Sequence, residues 1–335
     1  MTIPSRLPIV QAPMAGGPST PELAAAVNAA GGFGFVAAGY LPVETLRMQL
    51  ERTRALTNEP VGVNVFVPGA ADADDDAIAA YARTLGPEAE RLGVKLGVPR
   101  WEDDAYTAKL DLIARSGVHT VSFTFGAPTP GQTRHLQRAG VRVAITVTSA
   151  GEAEQAAAVG ADSLVVQGTE AGGHQGTFEG ETPNRTPLLE AVREIRGRVE
   201  LPLIAAGGIM SAADATAAID AGAAAVQIGT ALLCTPEAAT SAPYRAALLE
   251  QRYPDTVITR AFSGRWARGL ANRFALEHPD APDGYPQIHH LTRPLRAAAT
   301  TAGDSDVPNL WAGTGWLQVT SENAAAVIRR IKMGL

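Results

Sequence analysis

Eight short β-branched runs, each followed by a stretch of helical, often alanine-rich sequence, constrain this chain more than any other feature. The runs are Pro8 to Val10, Gly32 to Ala37, Val61 to Phe66, Val118 to Phe125, Val141 to Val147, Ser163 to Gln167, Leu203 to Ala206 and Ala224 to Ile228. Several of the helices between them announce their starts. Thr20 precedes Pro21, Ser149 precedes an alanine run, and Ser211 precedes another, as N-cap residues do. Strand, helix, strand in strict alternation is the pattern of parallel strands joined by helical crossovers. Eight such units are the count of an α/β fold of the TIM (β/α)8 type, in which the sheet closes and no edge strand is left open. A doubly wound open sheet accepts the same alternation. The barrel is favoured because glycine-rich polar turns follow several different strands, as they do when all βα loops converge on one rim. No GxGxxG follows an early strand, so a dinucleotide-binding domain of that type is unsupported.

After the eighth run the alternation stops. Residues from Cys234 to Thr301 are rich in proline and arginine and show no further βα repeat. The reading is a barrel over 1–233, a small, mostly helical second domain inserted over 234–301 above the barrel mouth, and a segment over 302–335 that returns to the barrel. The 28 basic and 34 acidic residues give a net charge of −6 and are scattered, which argues against nucleic acid as a partner. The single cysteine, Cys234, excludes an internal disulfide and suits a reducing compartment. It also denies the chain a cysteine-rich metal site, and His289 and His290 are adjacent, a poor spacing for joint ligation. The N-terminal sequence lacks a secretory apolar region, and no run reaches the roughly 18 apolar residues of a membrane span. The expectation is a cytoplasmic protein with no membrane partner and no bound metal. Homodimerisation is left open.

The chemistry concentrates in the turns. The sixth run leads into a loop with Gly168, Gly172, Gly173 and Gly176 around Glu170 and His174. Such glycines allow a backbone to turn sharply and approach a ligand closely. His174 is the candidate acid–base group, with an ordinary pKa near working pH. Gly207 and Gly208 follow the seventh run, and Gln227-Ile228-Gly229-Thr230 closes the eighth. Glycine turns at this corner of a barrel are the usual phosphate site, although each alone is equally explained as a tight turn. No P-loop lysine accompanies them, so the expected ligand is phosphorylated but not a nucleoside triphosphate. Ala12, Pro13 and Met14 end the first strand, where Met14 offers a polarisable surface to a flat ring. Asn64 and Gln167 are amides in apolar strands and need partners, either a ligand or a neighbouring loop.

Taken together, the motifs resemble one family. They are Gln11 to Gly17 (QAPMAGG), Gly31 to Leu41, Val63 to Phe66, Ser122 to Gly126, Gln167 to Gly176 (QGTEAGGHQG), Ala205 to Ile209, Gln227 to Thr230, Tyr285 to Ala299 and Leu310 to Gly315. In this order, over nearly the whole chain, they resemble the nitronate monooxygenases, long called 2-nitropropane dioxygenases, and most nearly their class I branch. The resemblance implies a TIM barrel with a small second domain and noncovalent FMN. It implies that Asn64, Gln167, Gly172, Gly208 and Gln227 to Thr230 hold FMN, the last four at its phosphate, and that His174 is catalytic. The implied reaction is oxidation of an alkyl nitronate, such as propionate 3-nitronate, by O₂ to a carbonyl compound and nitrite. A cationic or hydrogen-bonding His174 would hold the anionic nitronate, and a basic one would deprotonate a neutral nitroalkane. The sequence departs from the family pattern at Thr124, which stands where a histidine is usual. His289 and Arg293 replace an aromatic residue and a lysine, while Tyr285 is retained; these four positions bear on the substrate. Relatives sharing the glycine–histidine loop offer an alternative, an FMN-dependent NAD(P)H reductase of quinones or of enoyl-acyl carrier protein. A barrel that binds a phosphorylated metabolite without redox chemistry is the third.

Overall fold

The structure, a computed structural model, describes residues 3–332, so the first two residues of 1–233 and the last three of 302–335 lie outside it. Barrel strands are β1 (Ile9–Gln11), β2 (Phe35–Ala37), β3 (Gly62–Phe66), β4 (Thr120–Thr124), β5 (Arg142–Val147), β6 (Ser163–Gln167), β8 (Leu203–Ala206) and β9 (Ala225–Ile228). β7 (Gly173–His174) lies outside the barrel. Every neighbouring barrel pair is parallel, and the order β1-β9-β8-β6-β5-β4-β3-β2 runs once round. The seam between β1 and β2 closes through a single parallel bridge, Val10 to Phe33. Gln11 reinforces that seam with its side chain. Its amide donates to the Phe35 carbonyl (3.0 Å) and accepts from the Phe35 N–H (3.2 Å), taking the place of ladder bonds.

Helices α1 (Pro21–Ala29), α2 (Val43–Leu56), α5 (Tyr106–Ser116), α6 (Pro130–Arg138), α7 (Ala150–Ala158), α8 (Leu188–Arg196) and α9 (Ala212–Asp220) cover the barrel. The eighth outer helix is α13 (Ala324–Lys332), which packs against α1 and α9. Thr20, Ser149 and Ser211 cap α1, α7 and α9 through their hydroxyls, as their sequence positions indicate. The apolar core has two parts here. One lies between strands and outer helices, and the other fills the barrel with Val10, Phe33, Phe35, Val165, Ile204 and Ala225. Close packing requires Gly34: a Cβ there would sit 2.3 Å from the Ala24 carbonyl of α1.

The layer over the barrel mouth differs from a mostly helical insertion drawn from 234–301 alone. That stretch carries α10 (Ala242–Leu249), α11 (Arg273–Glu277) and α12 (Gln287–Thr301), and also β10 (Thr256–Thr259) and β11 (Ala267–Leu270). β10, β11 and β7 form a three-stranded antiparallel sheet. Helices α3 (Asp75–Thr84) and α4 (Gly86–Leu92), which follow β3, join the same layer. Their Ile78, Tyr81 and Ala89, with Leu85 between the two helices, share a core with Phe262, Phe274, Ile288, Leu291 and Leu295. The β-branched Thr256–Thr259 run is the local cause of the strands, since such side chains suit a pleated surface. No helix among the described residues is long and apolar enough to cross a membrane.

Candidate active site

A cavity of about 370 Å³ opens where the C-terminal ends of the barrel strands meet the overlying layer, a size that suits a small organic ligand. Ala12, Pro13 and Met14 line it from β1, Asn64 and Thr124 from β3 and β4, and Gln167 from β6. Gly172, Gly173 and His174 line it from the glycine loop. Gly207, Gly208, Gln227, Gly229 and Thr230 complete the wall from the turns after β8 and β9. Ile228 is the exception in that run, because its side chain is buried in the barrel-to-helix core.

The loop bearing His174 is held, not free. Gly173 and His174 pair with Arg268 and Ala267 of β11, and Gly173 takes the positive φ (80°) that starts this short strand. Gln167 spends both ends of its amide on the loop, donating to the His174 carbonyl (3.1 Å) and accepting from the Gly176 N–H (2.6 Å). The His174 ring lies among Phe125, Tyr285 and Trp311, and its Nε2 is 2.7 Å from the buried Ser263 hydroxyl. Burial, with Arg265 and Arg296 nearby, lowers its pKa from 6.5 to about 3. His174 is therefore held in its neutral form, which favours the hydrogen-bonding or basic alternative over the cationic one.

Thr124 accepts from the Asn64 amide (3.0 Å) and lies 3.4 Å from the Thr146 hydroxyl. The Asn64 Nδ2 group is further held by Ser122, so its carbonyl oxygen is what remains for a ligand. In the turns after β8 and β9, Gly207 and Gly208 both adopt positive φ (124° and 69°). The N–H groups of Gly208, Gly229 and Thr230 find no acceptor among the described residues. A Cβ at Gly229 would press on Ala12 (3.2 Å), so glycine there preserves the space in front of these donors. Converging unpaired amide donors are a site for an anion.

The remaining wall comes from α12. His289 stacks flat on Tyr40 (4.2 Å, 3° between planes), while Tyr285, which precedes α12 and does not line the cavity, donates to the Tyr40 hydroxyl behind it (3.3 Å). Arg293 is exposed and lies off the cavity. Its place as the cation of this wall is taken by Arg296, which lines the cavity and donates to the His289 carbonyl (3.0 Å) and Nδ1 (3.3 Å). An arginine can only donate, so Nδ1 is the acceptor and the His289 proton sits on Nε2. Burial and Arg296 together push the His289 pKa down to about 2. Tyr40, Ser263, Arg296, Asn309 and Trp311 are cavity residues to which the sequence reading gives no role, although Tyr40, Arg296 and Trp311 lie inside the motifs. A signal existed for Arg296, seven residues from His289 and so on the same helical stripe.

A family model described as nitronate monooxygenase matches residues 2–331. The chain belongs to the nitronate monooxygenase family. It is 39% identical to a nitronate monooxygenase of Pseudomonas aeruginosa, over 97% of this chain and 95% of that one. It is 36% identical to a probable nitronate monooxygenase of Staphylococcus aureus, over 97% and 93%. Among solved structures, nitroalkane oxidase from Streptomyces ansochromogenes superposes with a TM-score of 0.96 at 43% identity, covering 99% of this chain and 96% of that one. FabK from Thermotoga maritima superposes with a TM-score of 0.78 at 25% identity, over 99% and 94%. These relatives place the chain among oxidoreductases acting on nitronates or nitroalkanes, and they agree with the eight-stranded barrel.

Proposed function

We propose that this family member is an FMN-dependent monooxygenase that oxidises alkyl nitronates with O₂ to a carbonyl compound and nitrite, propionate 3-nitronate being a typical substrate. The observation that supports it most is that one cavity gathers unpaired amide donors, an apolar surface at Met14 and a neutral, half-buried histidine. The residues fit FMN. Gly208, Gly229 and Thr230 would take its phosphate, the Asn64 carbonyl would accept from the ring system, and Met14 would lie against it. Bound FMN supplies electron-transfer chemistry. The protein's own residues would orient the nitronate at His174, whose ring is held through Ser263 and whose backbone is held through Gln167. Purified protein is expected to be yellow, to release FMN on denaturation, and to consume O₂ with an alkyl nitronate without added NAD(P)H. A colourless protein that binds sugar phosphates overturns the reading. Rapid anaerobic reduction of the flavin by NADH with no nitronate turnover replaces it by a reductase.

The low pKa of His174 sets a pH expectation. Its imidazole is neutral at every pH above about 3, so it contributes no ionisation between pH 5 and 9. The pH profile of kcat/KM for a preformed nitronate should lack a limb near 6.5 other than that of substrate protonation. Comparing two nitronates of different acidity checks this, because a limb that fails to move with the substrate belongs to the enzyme.

A further inference from the structure

We infer that Arg296 is a specificity-determining residue that anchors a second anionic group, a carboxylate carried on the chain of the nitronate, in a subsite beside the Tyr40–His289 stack. This rests on the nitronate reading above. Among the described residues, no Asp or Glu lines the cavity, and Arg296 is its sole permanent charge. All four hydrogen bonds of the guanidinium go to neutral groups. Nε donates to Thr292 Oγ1 (3.1 Å), Nη1 to Asn309 Oδ1 (2.8 Å), and Nη2 to the carbonyl and Nδ1 of His289. A guanidinium has five N–H donors, so one on Nη1 is left over. Arg296 is half-buried and has no counter-ion, so part of its hydration is lost uncompensated, and that cost is recovered when an anion arrives. The surrounding bonds fix the guanidinium without neutralising it. His289 cannot play this part, because it accepts from Arg296 and carries no charge. The nitronate group itself is met at His174, so the charge at Arg296 rewards a substrate with an anion at both ends.

Two nitronates of the same carbon count test this. Propionate 3-nitronate and propyl 1-nitronate differ by a carboxylate in place of a methyl group. Arg296→Met should raise KM for the carboxylated nitronate by about 100-fold, the effect of losing a charge-assisted hydrogen bond in a buried site. KM for propyl 1-nitronate should change by less than about threefold, with kcat for both and FMN content near wild type. Arg296→Lys should fall between, and Asn309→Ala should give a smaller rise in the same direction. These two variants keep the test alive if the methionine variant does not fold. Calorimetric titration of succinate, a dead-end dianion, into the FMN-loaded protein should show the same order without turnover. An equal rise in KM for both nitronates overturns the inference by placing Arg296 at the nitronate group. Loss of FMN overturns it by assigning Arg296 to the cofactor. Binding of inorganic phosphate as tight as succinate, and equally sensitive to the substitution, overturns it in favour of a free anion. If wild type turns over neither nitronate, the proposed function fails, and the succinate titration still decides the subsite.

Discussion

His174→Ala should lower kcat/KM for a neutral nitroalkane by about 10³-fold, the usual contribution of a positioned general base. The same variant should lose only about 10-fold on a preformed nitronate, the worth of one hydrogen bond. The asymmetry follows from charge. Deprotonation breaks the C–H bond next to the nitro group, leaves its electron pair in the nitronate and puts the proton on an imidazole nitrogen. Burial first, and then the Arg265 and Arg296 charges, oppose an imidazolium standing alone, which is why the His174 pKa lies near 3. The nitronate that forms beside it offsets that cost, because the pair together adds no net charge to the cavity. A preformed nitronate arrives with its proton already gone and asks only for orientation. Steady-state assays on a nitroalkane and on its own nitronate separate the two demands. Equal losses on both would show that His174 acts in binding alone, and unchanged rates on both would remove it from the site.

The barrel was legible because its pattern is repeated and local. Each strand reads from its β-branched run, and each capped helix from a hydroxyl followed by apolar periodicity. The overlying layer was less legible because its elements are stabilised by partners far away in sequence. β7 has two residues and exists through pairing with β11, nearly a hundred positions later. Helices α3 and α4 share their core with α12, which no local window shows. In the site, glycine turns and amides on strand ends stood out because those residue types are unusual there. Gln167 was visible, yet its amide serves the His174 loop in the manner of a brace. Arg293 and Arg296 differ by three positions, and Pro294 lies between them inside α12. Composition weighs the two arginines equally, and the packing of α12 decides which one lines the cavity.

The same long-range logic makes a severe effect expected at Asp104, a residue outside the cavity. Lys109, in the first turn of α5, is 1% exposed, and its ammonium lies 2.7 Å from the Asp104 carboxylate. Burial pulls the Lys109 pKa down, and Asp104 opposes that shift. Asp104→Ala leaves a buried ammonium without its partner, which should destabilise the fold by about 3–5 kcal/mol. The double variant Asp104→Ala/Lys109→Met removes both charges and should recover most of that loss, since an apolar pair of similar volume is often neutral. Urea midpoints with unchanged m-values measure both effects. The pair also reaches the site. Asp104 accepts from the Tyr40 N–H (3.1 Å), and Tyr40 holds a positive φ (66°) that places its ring flat on His289. A tyrosine in that conformation is costly unless its surroundings fix it. The double variant should therefore regain stability while its KM for nitronate stays raised, because the Tyr40 amide still lacks its acceptor. A variant that recovers both together would show that the ion pair serves the fold alone and that Tyr40 is positioned by its stack.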